Sequence, residues 1–302
     1  MAFTAQDVKE LREKTGCGMM DCKNALKEAD GNMEKAVEIL REKGIAKQEK
    51  KMSRIAADGL VTTYKSGDVT AMIEVNSETD FVAKNPEFQA FVNACAKAVA
   101  EKNPADVDAL LATVLDEYND TAENVLRELI LKIGEKMTIR RFARLEGEVA
   151  VYIHGGGSIG VLAQLEVSDN LKGNPEVYAL GKDIGMQSAA MRPSFLDKSQ
   201  VDDATLSKEK EILLAQALNE GKPQQIAEKM VMGRINKYYE ENCLLQQAFV
   251  KENKISVEKH IAAVAKVLGG EIKLVNCIRF EKGEGIEKRQ DDFAAEVAAM
   301  AK

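Results

Sequence analysis

Residues 74–85 read Glu74-Val75-Asn76-Ser77-Glu78-Thr79-Asp80-Phe81-Val82-Ala83-Lys84-Asn85, and the chain is organised around them. Just upstream, Val69, Ala71, Ile73 and Val75 alternate with Thr70, Met72 and Glu74, the period of a half-buried strand. The pattern then breaks into Asn76-Ser77-Glu78-Thr79-Asp80, all turn or cap formers. Phe81 and Val82 follow at once. An aromatic on a polar turn, beside a carboxylate and just past a strand end, is placed for presentation. The same residues also suit another arrangement, with Phe81 folded back into its own core and Asp80 capping a helix. The stretch alone leaves both open.

A diverged internal repeat raises the interest of this stretch. Val69–Val75 ends in Glu-Val and is followed by Asn85-Pro86-Glu87; Gly160–Val167 ends in Glu-Val and is followed by Asn174-Pro175-Glu176. In both copies a glycine turn precedes the strand, Gly67-Asp68 in one and Gly155-Gly156-Gly157 in the other, and Asn-Pro-Glu opens a helical pattern. Between strand and helix the second copy has Ser168-Asp-Asn-Leu-Lys-Gly173, with no Asp-Phe-Val. Two modules share a scaffold and one carries the tip, which implies that the tip is more than scaffold.

Composition bounds the function classes. A chain of 302 residues buries sizeable cores and is expected to hold more than one domain. The formal net charge is −7, so nucleic-acid binding by bulk electrostatics is not expected. Aromatics are 5% with no Trp, which leaves little for base stacking. No apolar run reaches the roughly 18–20 residues that span a bilayer, and the chain starts on an amphipathic helix pattern without a signal sequence. The five cysteines are scattered and only two histidines accompany them, so no metal cluster, disulfide framework or cofactor site is expected. A reducing, cytoplasmic setting fits, without membrane association.

Residues 4–44 read as a compact three-helix unit. Thr4 is the N-cap, Thr15-Gly16-Cys17-Gly18 stops the first helix, Asp30-Gly31-Asn32 turns between the second and third, and Gly44 ends the third. Its small core suits docking better than catalysis. Met19 and Met20 open the second helix, either both in the core or one inside and one shown as a soft, adaptable contact. Lys47, Lys50, Lys51 and Arg54 form a basic linker or the polar face of a frayed helix. Further on, the spacing predicts strands at 59–63, 136–146, 149–153, 159–167 and 272–280. Helices are predicted at 86–100, 104–111, 124–132, 176–191, 254–268 (with Ser256 as cap) and 287–300. Residues 203–217 and 224–240 make an antiparallel helical hairpin. Leu206, Ile212, Leu213 and Ala217 face Ile226, Met230, Ile235 and Tyr238 in it.

No Gly-x-Ser-x-Gly, His-Glu-x-x-His or Walker loop is present. The glycines after His154 join strand to strand, where a phosphate-cradling loop needs a following helix, and His154 lacks an evident partner. The residues favour interaction over catalysis.

Residues 11–26, Leu-Arg-Glu-Lys-Thr-Gly-Cys-Gly-Met-Met-Asp-Cys-Lys-Asn-Ala-Leu, resemble the N-terminal signature of the bacterial elongation factor Ts family. Residues 74–84 resemble its central signature, and the endings at 278–287 and 292–300 resemble it too. Cys17 stands where that family has a small residue between the glycines; Cys22 matches. The resemblance implies an α+β fold. It begins with a three-helix ubiquitin-associated-like unit and continues with two related α+β subdomains with small antiparallel sheets. A protruding antiparallel helical hairpin and a C-terminal helix complete it. The domains expected are a docking unit with basic linker (1–54) and a first core subdomain (55–146). A second core subdomain (147–286), with the hairpin inserted at about 203–240, and a C-terminal helical module (287–302) follow. The implied activity is guanine-nucleotide exchange on the GTPase elongation factor Tu, met in its nucleotide-free or GDP form, without nucleic acid. The chain itself would be no enzyme and need no cofactor. Met19, Met20, Thr79, Asp80, Phe81 and Val82 match the contacting and exchange residues. The competing reading is a protein-binding scaffold or chaperone-like partner of a GTPase.

Overall fold

The computed structural model describes residues 3–15, 17–51 and 54–287. The helix expected at 287–300 and the side chains of the basic stretch 44–51 lie outside what is described. The chain divides into two compact units, one of residues up to Arg144 with those from Phe280 on, the other Leu145–Arg279. Both are α+β, with small sheets backed by helices.

The first unit begins with α1 (Ala5–Thr15), α2 (Met19–Glu28) and α3 (Met33–Lys51). Thr4 caps α1 reciprocally: its Oγ1 accepts from the Asp7 amide at 3.3 Å and Asp7 accepts from the Thr4 amide at 2.6 Å. Leu11, Cys22, Ala25, Leu26, Ala36 and Leu40 form the core of the three helices. α3 does not stop at Gly44. A helical glycine costs about 1 kcal/mol against alanine, and the Ala, Lys, Gln and Glu residues that follow are good enough formers to carry the helix on to Lys51.

β1 (Asp58–Ser66) and β2 (Val69–Ser77) form an antiparallel hairpin. Then come α4 (Asp80–Ala83), α5 (Pro86–Lys102), α6 (Val107–Leu111), the short pair β3 (Val114–Leu115) and β4 (Asp120–Thr121), α7 (Ala122–Ile133) and β5 (Met137–Glu146). The sheet order β1-β2-β5 puts β2 in the middle. Ala71, Ile73 and Val75 enter a core with Phe88, Phe91, Val92 and Leu126. The opposite residues of β2 are not exposed as a half-buried strand requires. Thr70, Met72, Glu74 and Asn76 are buried as well. The reason is visible at Glu74. Its carboxylate accepts from Arg140 Nη1 (3.0 Å), Arg141 Nε (2.6 Å), Asn76 Nδ2 (3.1 Å) and the Gly283 amide (2.8 Å). A charge can be buried here because four donors replace its water. Gly283 is required: at φ 68° it lies so close that a Cβ would fall 2.0 Å from the Ala57 carbonyl oxygen.

The second unit contains β6 (Glu148–His154), β7 (Ile159–Val167), α8 (Pro175–Met191), α9 (Asp203–Asn219) and α10 (Gln224–Asn242). β8 (Ala248–Phe249), β9 (Glu252–Ser256), α11 (Val257–Leu268) and β10 (Ile272–Glu281) complete the α-helices and strands among the described residues. Ser256 does cap α11, accepting from the Lys259 amide, so the helix starts after it and 254–256 pair in β9 instead. The sheet order β10-β7-β6 again centres the second strand of a hairpin. The repeat extends to the helix ends. Asn85 and Asn174 cap α5 and α8 through their side chains, with proline in the first turn, and both helices stop at a left-handed residue, Asn103 and Arg192. α8 approaches its sheet through Gly181 and Gly185, where an added Cβ would lie 2.4 Å from Ala150 Cβ and 2.7 Å from Tyr152 Cβ. In the α9–α10 pair the buried residues are Ala217, Ala227, Val231 and Ile235, while Ile212 and Ile226 face outward. Ala217 and Ile235 of the expected stripe are buried and Leu206, Leu213, Met230 and Tyr238 are half-buried; Ala227 and Val231 take the inward places expected of Ile226 and Ile212.

Two stability measurements check this account. Glu74→Ala strips the partner from two arginines that keep some solvent, and is expected to destabilise the protein by about 3 kcal/mol in urea unfolding. A loss below about 1 kcal/mol would mean the network is dispensable. Gly181→Ala is expected to cost about 1–3 kcal/mol by overpacking against Ala150, whereas Gly233→Ala, which meets open space, should not destabilise.

Candidate functional site

The strand β2 does not end at Asn76; it runs to Ser77, and both residues are buried. The chain emerges at Glu78 and makes the four-residue helix α4. Val82 is 3% exposed and packs in the core, while Phe81, one residue earlier, is 78% exposed. Val82 therefore anchors the tip from inside and is not available on its surface. The second copy clarifies the division. Ten positions separate Val75 from Asn85, and seven separate Val167 from Asn174. Counted back from the capping asparagine, Leu171 stands where Val82 stands, and it too is buried. The buried anchor is common to both modules, and the exposed aromatic belongs to the longer connection alone.

The tip is held by polar contacts from several sides. Thr79 donates to Glu135 through its amide (3.0 Å) and its hydroxyl (2.8 Å). Ser77 Oγ donates to the Thr79 carbonyl at 2.9 Å, and Gln89 Nε2 to the Ala83 carbonyl at 3.0 Å. The backbone closes with Lys84 N to Phe81 O and Asn85 N to Val82 O. Asp80 is the first residue of α4 and pairs with Lys84 at 2.6 Å, whose ammonium also stands 5.8 Å from the centre of the Phe81 ring. The Lys84 hydrogen bond holds the Asp80 carboxyl below its usual range, and Asp80 raises the Lys84 ammonium in turn. The result is an exposed aromatic ring on a short helix whose base is held from several sides.

Met19 and Met20 lie in the first turn of α2 and both are exposed, at 55% and 64%. Neither packs inside, because Cys17 takes the inward place at this end of the small core and Cys22 continues it. The structure thus leaves the side chains of Met19, Met20, Asp80 and Phe81 accessible, keeps Thr79 partly buried in the base, and removes Val82 to the core. It adds Glu135 and Gln89 to the tip's support. No local pattern points to Glu135, since it lies 56 positions from Thr79.

Burial pushes the Cys243 and Cys277 thiols up to about 11 and Cys95 further still. His154 is exposed at the end of β6, where its Nδ1 meets the Tyr152 hydroxyl at 3.1 Å. Among the described residues no group of three or more His, Cys, Asp and Glu is placed to hold a metal ion, and no helix is long and apolar enough to cross a membrane.

The profile of the family described as Elongation factor TS matches residues 78–284. Elongation factor Ts of Clostridium kluyveri is 53% identical over 301 residues, covering 98% of this chain and 97% of that protein. Elongation factor Ts of Clostridioides difficile is 52% identical over 304 residues, 99% of each chain. That of Syntrophotalea carbinolica is 49% identical over 306 residues, the whole of both.

The ion pair at the tip has a pH signature. The depressed Asp80 value means that the contact with Lys84 is present above the ordinary carboxylate value of 3.8 and is lost as pH falls through the lower, folded value. In an NMR titration of the side-chain carboxyl, Lys84→Met should move Asp80 up toward 3.8. An unmoved titration would show that the pair does not persist in solution.

Proposed function

The chain belongs to the elongation factor Ts family, and from that membership we infer that it is a guanine-nucleotide exchange factor of translation elongation, with elongation factor Tu as its partner. It changes a partner's affinity for a nucleotide and breaks no bond itself. A GTPase holds GDP through a magnesium ion, phosphate-cradling amides and a base pocket. A protein that prefers the nucleotide-free state weakens that hold, and the coupling is reciprocal: GDP weakens binding of the factor by the same ratio. The factor therefore meets the GDP form and is held most firmly once the nucleotide has left.

The observation that carries our reading of the site is Phe81, 78% exposed on a base fixed by Val82 and Thr79. Burying a phenylalanine releases about 1.5–3 kcal/mol, and a rigid base directs that energy into the partner instead of into a collapse of the tip. We assign Phe81 the role of an apolar wedge between helices of the GTPase. Asp80 exchanges its Lys84 contact for polar groups near the partner's magnesium, disturbing the ion's shell without becoming its ligand. The three helices at the N-terminus, read as a ubiquitin-associated-like docking unit within residues 1–54, bring Met19 and Met20 to the same partner. The core subdomains 55–146 and 147–286, the hairpin and the module at 287–302 complete the working division. No role for nucleic acid or a cofactor enters this mechanism.

The test is release of mant-GDP from elongation factor Tu at subsaturating factor. Phe81→Ala changes an exposed side chain, so unfolding free energy should stay within about 0.5 kcal/mol. Stimulated release should fall about 10- to 100-fold, the kinetic equivalent of the lost burial. Full stimulation by the variant would remove the wedge, and binding without any stimulation by the native chain would leave a scaffold.

A further inference from the structure

The helix α4 that carries Phe81 is too short to stand by itself. A peptide helix is marginal below roughly 12–15 residues, and α4 has four. Nor is it capped locally. A threonine at the N-cap ordinarily accepts from an amide of the first turn, but Thr79 makes no such bond. Its hydroxyl is turned away and donates to Glu135 Oε1 at 2.8 Å, while its amide donates to Glu135 Oε2 at 3.0 Å. The exchange runs both ways. Glu78, the residue before Thr79, accepts from the amide of Lys136, the residue after Glu135, at 2.5 Å. Two neighbouring glutamates thus each take the other segment's backbone N–H. The clasp ties the root of the tip to the turn between α7 and β5, and both of those elements are seated in the core through Leu129, Ile130, Met137 and Ile139. Arg54 joins from the side, with Nη1 at 3.3 Å from Glu78, and its carbonyl accepts from Lys136 Nζ at 2.8 Å.

We propose that Glu135 is the positioning residue of the exchange tip, fixing the direction of Phe81 through Thr79 while making no contact with the partner's nucleotide itself. The proposal rests on the wedge reading of Phe81. Apart from the clasp, α4 is held by Val82 and by single bonds from Ser77 to the Thr79 carbonyl and from Gln89 to the Ala83 carbonyl, about which it could still turn and let the exposed ring sweep over its own surface. The bidentate contact with Glu135 and the answering contact from Glu78 remove that freedom before docking, which is when ordering would otherwise be charged against binding.

Two measurements on the full-length chain decide it, with a fold check by circular dichroism. The first needs no partner. Hydrogen exchange of the Lys84 and Asn85 amides, which close α4 onto Phe81 and Val82, should be about tenfold faster in Glu135→Ala. In Glu135→Gln it should stay within about twofold of native, because glutamine can accept from the Thr79 amide and donate to its hydroxyl. Unchanged exchange in the alanine variant, or equal damage in both, would overturn the clasp. The second is a double-mutant cycle in mant-GDP release from elongation factor Tu. Glu135→Ala should slow stimulated release about tenfold beside Phe81 but less than twofold beside Phe81→Ala. An equal loss in both backgrounds would mean that Glu135 acts by general stability and would overturn the positioning role. If Phe81→Ala alone leaves release untouched, the wedge reading and with it the role in exchange fall. The amide measurement still shows separately whether the clasp orders the tip.

Discussion

A carboxylate buried in the middle of a sheet ties that sheet to the turn at 281–284. Glu74 lies on β2 with no exposure, and its oxygens are shared among Arg140, Arg141, Asn76 and the amide of Gly283. Removing any of these donors leaves charge without solvent, so the hairpin β1–β2, the strand β5 and the turn at 281–284 are bound to one geometry. Arg141 also stacks its guanidinium 4.3 Å from the Phe280 ring and reaches the Glu284 carboxylate at 3.1 Å. The chain leaves this strand at Glu78, four positions after Glu74, and there begins the tip. The tip is thus rooted in the strand that carries this buried network.

The same frame was used twice, and the comparison between copies separates frame from function. Each module has a hairpin, a middle strand that carries Glu-Val near its end, and a helix that opens on Asn-Pro with the asparagine as cap. Glu166, the second copy's counterpart of Glu74, is exposed. The buried ionic centre is therefore specific to the module that bears the tip. The same holds for the added residues that lift Phe81 clear of the anchor at Val82. Charge burial at the root and apolar exposure at the end are both unfavourable in isolation. In this module they occur together, within one strand and one turn.

Electrostatics at the tip are local and modest. The Asp80–Lys84 pair is exposed, adds little to stability, and is open to exchange for other partners. The thiols, in contrast, are pushed up by burial and belong to the packing. Met19, Met20 and Phe81 are among the exposed apolar side chains, with Val267 and Met232 elsewhere on the surface.

The strands, the helices and the repeat were legible in the chain because they rest on local periodicity and on caps such as Thr4, Asn85, Asn174 and Ser256, whose partners lie within three residues. The tip was legible as a stretch, from Asp80-Phe81 after a strand end and from its absence in the second copy. The direction of its side chains was not. Phe81 outward and Val82 inward differ by one position, and four residues are too few to show a period. Both methionines turned outward because Cys17 filled the space inside, a matter of volume in a three-helix core. The burial of Glu74 depended on arginines and a glycine that lie 66, 67 and 209 positions away. Local sequence determined most of the longer helices and strands, though not every end, since α3 runs past Gly44 and 254–256 belong to β9; only the tertiary structure decided which residues lose water, because that depends on neighbours the chain brings together from far apart.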